Sequence, residues 1–142
     1  MLDKTFVQKK MDSLSMQIAK LERLVGHSTV ADIRKDEVSL AAIERYFQLA
    51  VDQMVDINTH IIKAGDFGTV DDLQSTFKML GDCEVLAKTF AQKIAPIVGV
   101  RNMLVHRYEK LDTNIFLQNL KNNFSDFTDY MIQIDAYVRK LQ

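Results

Sequence analysis

The stretch DEVSLAAIERYFQLAVDQMVDINTHIIKA, residues 36–64, carries the pattern that decides the fold. Its apolar residues recur at alternating spacings of four and three, which places them on one face of an α-helix. They are Ile43, Phe47, Ala50, Met54, Ile57 and Ile61. The sequence GDFG at 65–68 then ends the pattern, because glycine is a weak helix former. The stretch therefore predicts a long amphipathic helix from about Asp36 to Ala64 with one buried face.

The same spacing occurs near both ends of the chain. The N-terminal stripe is followed by Gly26, which predicts the end of a first helix there. Its members are Val7, Met11, Leu14, Ile18, Leu21 and Val25. Toward the C-terminus, Asp112-Thr113-Asn114 offers an N-cap for a last helix that continues to the end of the chain. Its stripe consists of Leu120, Phe124, Phe127, Met131, Ile134, Val138 and Leu141.

Shorter elements are predicted between these helices. Residues 27–36 are polar and mixed, which favours a connection with room for one short turn. A short helix follows, with Thr69 or Asp71 as its N-cap and Gly81 at its end. Its apolar face consists of Leu73, Phe77 and Leu80.

The segment from Glu84 to about Tyr108 is helical in composition apart from Pro96. Proline inside a helix removes a backbone hydrogen bond and clashes with the preceding turn. We therefore expect a kink, or two abutting helices, just before Pro96.

Composition agrees with a helical chain. One proline and five glycines among 142 residues favour long uninterrupted helices over a turn-rich β fold. The length suits one core rather than two. The sequence thus predicts an all-α single domain over residues 1–142, an up-and-down bundle of four long helices plus one short helix.

Charge and apolar content limit the partners. The net charge of −1 argues against a surface that is positive throughout and binds nucleic acid in bulk, and we expect no DNA partner. The same net charge is compatible with a local basic site. The first ten residues lack the apolar core of a signal peptide, and no apolar run approaches the ~20 residues that cross a bilayer. The single cysteine, Cys83, fits a reducing compartment. We expect a cytoplasmic protein that does not contact a membrane.

Most catalytic signatures are missing from the sequence. It contains no glycine-rich phosphate loop, no G-x-S-x-G elbow and no Cys-x-x-Cys pair. His27, His60 and His106 are not spaced as metal ligands are. We therefore expect neither a metal nor a cofactor.

One segment, VGVRNMLVHRY at 98–108, concentrates polar chemistry on two turns of a helix. At about 100° per residue, Arg101 and Tyr108 project within about 20° of each other, and Asn102 and His106 within about 40°. Asn102 and His106 lie more than about 100° round from Arg101. Arg101 and His106 would converge if two copies of the helix met across a two-fold axis, which predicts a homodimer with a composite site.

The residue types suit the cleavage of RNA without a metal. His106 can take a proton from a ribose 2′-hydroxyl or give one to the leaving oxygen. Arg101 can hold the phosphate and stabilise the charge that develops on it. Asn102 can orient either His106 or the phosphate. Arg107 and Lys110 are candidate RNA contacts. A purely structural role of this cluster stays open, since polar side chains near helix ends often form hydrogen-bond networks that only stabilise the fold.

The segment from Arg101 to Tyr108 resembles the R-x4-6-H motif of the HEPN superfamily, in the R-N-x-L-V-H-x-Y form of its HepT-like branch. The resemblance extends over residues 40–60, the approach 97–101 and the DFTDY stretch at 126–130. Pro96 departs from the family, which often has Leu, Ala or Lys there.

This resemblance implies a HEPN-like homodimer and a metal-independent endoribonuclease that acts as a toxin. It implies an antitoxin partner, a minimal nucleotidyltransferase of the MntA kind, that attaches AMP to Tyr108. It gives Arg101, His106 and Asn102 the catalytic roles described above. The phosphate of an AMP group on Tyr108 would neutralise the positive charge of Arg101 and keep the phosphates of RNA from binding to it.

Two other functions remain open at the level of sequence. The chain can be a non-catalytic helical module that binds a nucleotidyltransferase, which its acidic isoelectric point favours. It can also be a structural dimerisation bundle whose polar cluster only fixes the helix register.

Overall fold

The structure, a computed structural model, describes residues 1–106 and 111–141. Within them the chain forms helices and no β-strand, which confirms the all-α prediction. The helices are α1 (Lys4–Val25), α2 (Val30–Lys35), α3 (Glu37–Ala64), α4 (Gln74–Asp82), α5 (Lys88–Ile94), α6 (Ile97–His106), α7 (Thr113–Asn122) and α8 (Ser125–Lys140). Among these helices, none combines the length and the apolar character that a membrane span requires.

The long pair α1 and α3 forms the centre of the bundle, and α1 packs along α3. Asp3 caps α1, since its Oδ1 accepts a hydrogen bond of 3.0 Å from Phe6 N. Every residue of the predicted α3 stripe is buried, and so is the α1 stripe apart from the half-buried Ile18. The pattern at 36–64 therefore predicted both the helix and its buried face correctly.

The connection after α1 contains more structure than one turn. Thr29 accepts a hydrogen bond from Asp32 N and starts the six-residue helix α2. Ile33 of this helix is buried in the core. A single apolar residue in a polar stretch gives no periodicity, so the sequence pattern did not reveal α2.

The predicted ends of the short helix were wrong. The helix α4 begins at Gln74, and the carboxylate that caps its first turn is Asp72, whose Oδ1 accepts from Ser75 N at 2.8 Å. Neither Thr69 nor Asp71 starts it. Gly81 lies inside the helix rather than after it, and a Cβ there would come within 2.6 Å of Ala91 Cβ. Gly81 is therefore a packing glycine between α4 and α5.

The segment that begins at Glu84 is helical only from Lys88 onward. Glu84 adopts a positive φ of 64°, a left-handed conformation that no α-helix contains. Pro96 then separates α5 from α6, which confirms two abutting helices before the motif. The motif segment thus starts a helix of its own instead of continuing a longer one.

The last predicted helix is divided into α7 and α8. Asn123 ends α7, and its side-chain Nδ2 donates 3.0 Å to the Asn119 carbonyl. Asparagine side chains compete with the backbone for such hydrogen bonds and so weaken a helix interior. The apolar stripe continues across this break, which is why its spacing did not reveal it.

A buried polar network joins three of the helices. The Tyr130 hydroxyl of α8 donates 2.6 Å to Asn58 Oδ1 of α3, and Asn58 Nδ2 donates 3.1 Å to Thr76 Oγ1 of α4. All three side chains are buried. The network therefore fixes α3, which also carries one half of the candidate site.

Candidate active site

Arg101 is held by a neighbouring helix. Its Nε donates a hydrogen bond of 2.9 Å to Asp52 Oδ1, so α6 and α3 are joined by an ion pair. The pair is partly shielded, with side-chain exposures of 25% for Arg101 and 38% for Asp52. This hydrogen bond uses only Nε, so it leaves the N–H groups of both terminal nitrogens available to other partners.

Asn102 makes the second contact of the guanidinium. Its Oδ1 accepts a hydrogen bond of 3.1 Å from Arg101 Nη1, and the Asn102 side chain is exposed. An arginine has five N–H donors, of which these two bonds use two. The sequence assigned Asn102 to the support of His106 or the phosphate, and the structure places it on Arg101.

Arg101 lines an open groove of about 610 Å³. The other lining residues come from α1, α3 and the start of α4: Phe6, Asp52, Val55, Asp56, Thr59, His60, Lys63 and Leu73. We call this the α3 groove. The Lys10 ammonium lies 2.7 Å from Asp56 Oδ2. Both carboxylates of the groove are thus paired with a cation.

His106 is the last residue of α6 and is exposed. It is not among the residues that line the α3 groove. Five residues along a helix correspond to about 140° of rotation, so Arg101 and His106 project from different faces of α6. One copy of the chain therefore presents the two motif residues on two surfaces.

Three candidate residues, Arg107, Tyr108 and Lys110, lie outside the residues that the structure describes. Their assigned roles stay predictions. Within the described ranges, no group of three or more His, Cys, Asp or Glu side chains is arranged to hold a metal ion.

Asp52 and His60 are the residues that sequence reasoning missed. In the sequence, Asp52 resembles any solvated carboxylate because it lies opposite the apolar stripe of α3. His60 lies near the end of the predicted helix, where a cation would interact favourably with the helix dipole, whereas in the structure its Nε2 accepts a hydrogen bond of 3.0 Å from Asp3 N. Both lie on one polar face of α3, and that shared face was the signal available in the sequence.

The sequence matches the family model described as Ribonuclease HepT-like over residues 14–134. Among curated proteins, the tRNA nuclease HepT of Aphanizomenon flos-aquae is 32% identical over 99 residues, which cover 70% of this chain and 67% of that protein. The mRNA nuclease HepT of Shewanella oneidensis is 20% identical over 127 residues, which cover 89% of this chain and 94% of that protein.

A solved structure shares the fold. The tri-AMPylated HEPN toxin of Shewanella oneidensis, in complex with MNT antitoxin, aligns with a TM-score of 0.86 at 20% identity. The alignment covers 96% of this chain and 99% of that chain. The bundle therefore has a HEPN-like fold, as the sequence predicted.

Proposed function

The chain belongs to the HepT-like ribonuclease family, and we propose that it is a metal-independent endoribonuclease that acts as the toxin of a toxin–antitoxin pair. The family match includes the R-x4-H segment from Arg101 to His106. The observation that carries the proposal is the Arg101–Asp52 hydrogen bond, which holds a phosphate-binding guanidinium in an open groove. Two relatives named as nucleases of tRNA and mRNA support RNA as the substrate. Such a substrate places the protein in the cytoplasm.

In the proposed reaction, His106 takes the proton from a ribose 2′-hydroxyl. The 2′-oxygen attacks the adjacent phosphorus, the bond from phosphorus to the 5′-oxygen breaks, and a proton passes to that leaving oxygen. Arg101 stabilises the charge that builds on the phosphoryl oxygens. The products are a 2′,3′-cyclic phosphate and a 5′-hydroxyl, and the reaction requires no metal ion.

The active unit in this proposal is a homodimer. Because Arg101 and His106 project from different faces of α6, each site combines Arg101 of one copy with His106 of the other across a two-fold axis. The exposed position of His106 at the end of α6 supports this arrangement, since the side chain is accessible to a second copy.

The proposed antitoxin is a minimal nucleotidyltransferase that attaches AMP to Tyr108. Support comes from the structural relative, which is an AMPylated HEPN toxin in complex with MNT antitoxin. A nucleotide on Tyr108, seven residues after Arg101 in the sequence, would add a phosphate to the motif segment that contains this arginine. The modified site would then be occupied by an anion in place of the RNA backbone.

The test is RNA cleavage by the chain produced without its antitoxin, after intact mass has established that no AMP is attached. Total tRNA and an mRNA are incubated with the protein in EDTA. We expect cleavage that leaves 2′,3′-cyclic phosphate ends. His106→Ala should abolish it, while His27→Ala should cleave as the wild type does, because His27 is an exposed histidine far from the motif in sequence.

Intact RNA with unmodified wild-type protein would contradict the ribonuclease proposal. It would favour the non-catalytic module that binds a nucleotidyltransferase. Equal cleavage by the wild type and His106→Ala would instead indicate a contaminating nuclease.

A further inference from the structure

We propose that the α3 groove is an RNA-binding subsite, in which His60 stacks against a nucleobase and Lys63 contacts a phosphate of the same strand. The inference rests on the proposed ribonuclease function and adds a second contact region to it. Neither residue belongs to the R-x4-H-x-Y motif. The subsite would hold the strand beside the scissile phosphate bound at Arg101.

The groove runs along one face of α3. Asp52, Asp56, Thr59 and Lys63 are spaced at four, three and four residues and form one row, with His60 beside it. Eight residues of α-helix from Asp52 to His60 span about 12 Å, and eleven residues to Lys63 span about 16 Å. A strand that enters at Arg101 therefore passes His60 before it reaches Lys63.

The His60 ring is held in place before any ligand arrives. Its Nε2 accepts from Asp3 N at 3.0 Å, which requires the proton of the neutral ring to be on Nδ1. The Phe6 ring lies against it, with 4.7 Å between the ring centroids and a tilt of 38°. Single-stranded RNA is recognised by stacking its bases on aromatic rings, histidine included. A half-buried imidazole that is fixed on two sides offers such a surface, together with an Nδ1–H donor.

The charge of the groove favours an anion at Lys63. Arg101 neutralises Asp52, and Lys10 neutralises Asp56. Lys63 is exposed, and no carboxylate of the described residues lies within ion-pair distance of it. Among the charged lining residues, Lys63 is therefore the one whose charge no ion pair within the described part of the chain offsets. The uncompensated positive charge is thus located at the end of the groove farthest from Arg101.

The test measures RNA binding in a His106→Ala background, so that binding is separated from cleavage. A fluorescent single-stranded RNA of about twelve nucleotides is titrated at several salt concentrations, and the Kd is plotted against salt on logarithmic axes. Lys63→Gln should weaken binding about five- to tenfold at low salt and reduce the slope by about 0.7, the value for one phosphate contact on a single strand. Lys35→Gln, an exposed lysine beyond the opposite end of α3, should change neither.

His60→Gln provides the second variant. A glutamine side chain keeps an acceptor for Asp3 N but removes the ring, so the Kd should rise about tenfold with the salt slope unchanged. Thermal unfolding of each variant checks that the fold is intact.

The outcomes separate this inference from the proposed function. Unchanged RNA affinity in both Lys63→Gln and His60→Gln, with RNA cleavage retained by the wild type, would overturn the subsite and leave the ribonuclease intact. Weaker binding of the nucleotidyltransferase without any change in RNA affinity would overturn it too, because the groove would then be a protein-docking surface. Both proposals would be overturned if the wild type does not cleave RNA and the His106→Ala parent does not bind it.

Discussion

The orientation of the Arg101 guanidinium comes from another helix, because its Nε–H donates to Asp52 of α3. A carboxylate at Nε fixes the plane of the guanidinium and leaves terminal N–H groups for a phosphate. Asp52 therefore acts as a positioning residue through Arg101. The partial exposure of the pair keeps its contribution to stability small, so its main effect falls on the site.

Removal of this carboxylate should lower ribonuclease activity. We expect Asp52→Ala to reduce kcat/KM about tenfold, and Asp52→Asn to retain most of it because its amide oxygen still accepts from Nε. In an Arg101→Ala background, Asp52→Ala should have no further effect, since Asp52 acts through the arginine. An additive loss in the double variant would show that Asp52 acts independently of Arg101.

The hydroxyl of Tyr130 should make stability fall at high pH. Burial raises the pKa of Tyr130 well above the ordinary value of 10.0. Above pH 10 the unfolded chain loses this proton while the folded chain keeps it, so the free energy of unfolding falls as pH rises, by about 1.4 kcal/mol per pH unit. Below that pH the tyrosine contributes no pH dependence.

Urea unfolding at pH 8 to 11 of the wild type and Tyr130→Phe measures this contribution. At pH 8 the phenylalanine variant should be less stable by about 1–2 kcal/mol, because buried Asn58 loses its donor. The gap should narrow above pH 10. If the free energies of unfolding of the two proteins changed in parallel from pH 8 to 11, the predicted effect of Tyr130 would be refuted.

Sequence reasoning found the motif residues Arg101, Asn102 and His106 because they lie within six residues of one another on one helix. It missed Asp52, which is 49 residues away from its partner and resembles any solvated carboxylate. The pairing depends on how α3 and α6 pack, and the pattern of one helix contains no information on that packing.

At the scale of the elements, apolar spacing predicted which faces are buried but not where helices are interrupted. The stripe of the last helix continues from Leu120 to Ile134 while the backbone breaks at Asn123. Pro96 is the exception, because its missing N–H marks the break directly in the sequence. The helix end at Asn123 and the left-handed conformation of Glu84 depend on local hydrogen bonds. The spacing of apolar residues therefore does not predict them.

Substitution of two helical glycines by alanine should change the free energy of unfolding in opposite directions. Gly81→Ala should destabilise the fold by about 1–3 kcal/mol, because the new Cβ meets Ala91 Cβ at 2.6 Å where α4 packs on α5. Gly99→Ala, in α6, should stabilise the fold of a single copy by about 0.5–1 kcal/mol, since its Cβ position meets open space within the chain and alanine is the better helix former. Urea unfolding at equal chain concentration measures both. Equal shifts of the same sign would contradict this difference in packing.

At the scale of the whole molecule, one connected cluster of buried residues extends from Val7 of α1 to Ile134 of α8. This supports our proposal that residues 1–142 form a single domain, which stays a prediction. The active unit is larger than one chain in our proposal, because Arg101 and His106 belong to different faces of α6.

Mixed dimers should reveal the composite site. Arg101→Ala and His106→Ala proteins, each with activity far below that of the wild type, are mixed under conditions that allow subunits to exchange. A heterodimer then contains one site with both residues intact and one with neither. Random exchange should restore about a quarter of wild-type activity, since half of the dimers are mixed and each has one functional site.

A mixture that stays inactive, although mass spectrometry detects the heterodimer, would place Arg101 and His106 of the same copy in one site. The relevant control is the wild type mixed with the double variant, in which each mixed dimer has one intact residue of each kind on a single copy. That mixture should gain no activity beyond its wild-type homodimers.

The buried Tyr130 also gives the protein an optical signal of its own. The chain has no tryptophan, so light absorbed between about 270 and 290 nm excites chiefly its four tyrosines. Tyr130 is the fully buried one among those described, and its ring packs at 63° against Phe77 while its hydroxyl is hydrogen-bonded. A fixed, asymmetric environment makes such a ring a strong source of near-ultraviolet circular dichroism. That band reports on the junction of α3, α4 and α8 without any label, and a tryptophan placed in the α3 groove would add a second, separate fluorescence signal for bound RNA.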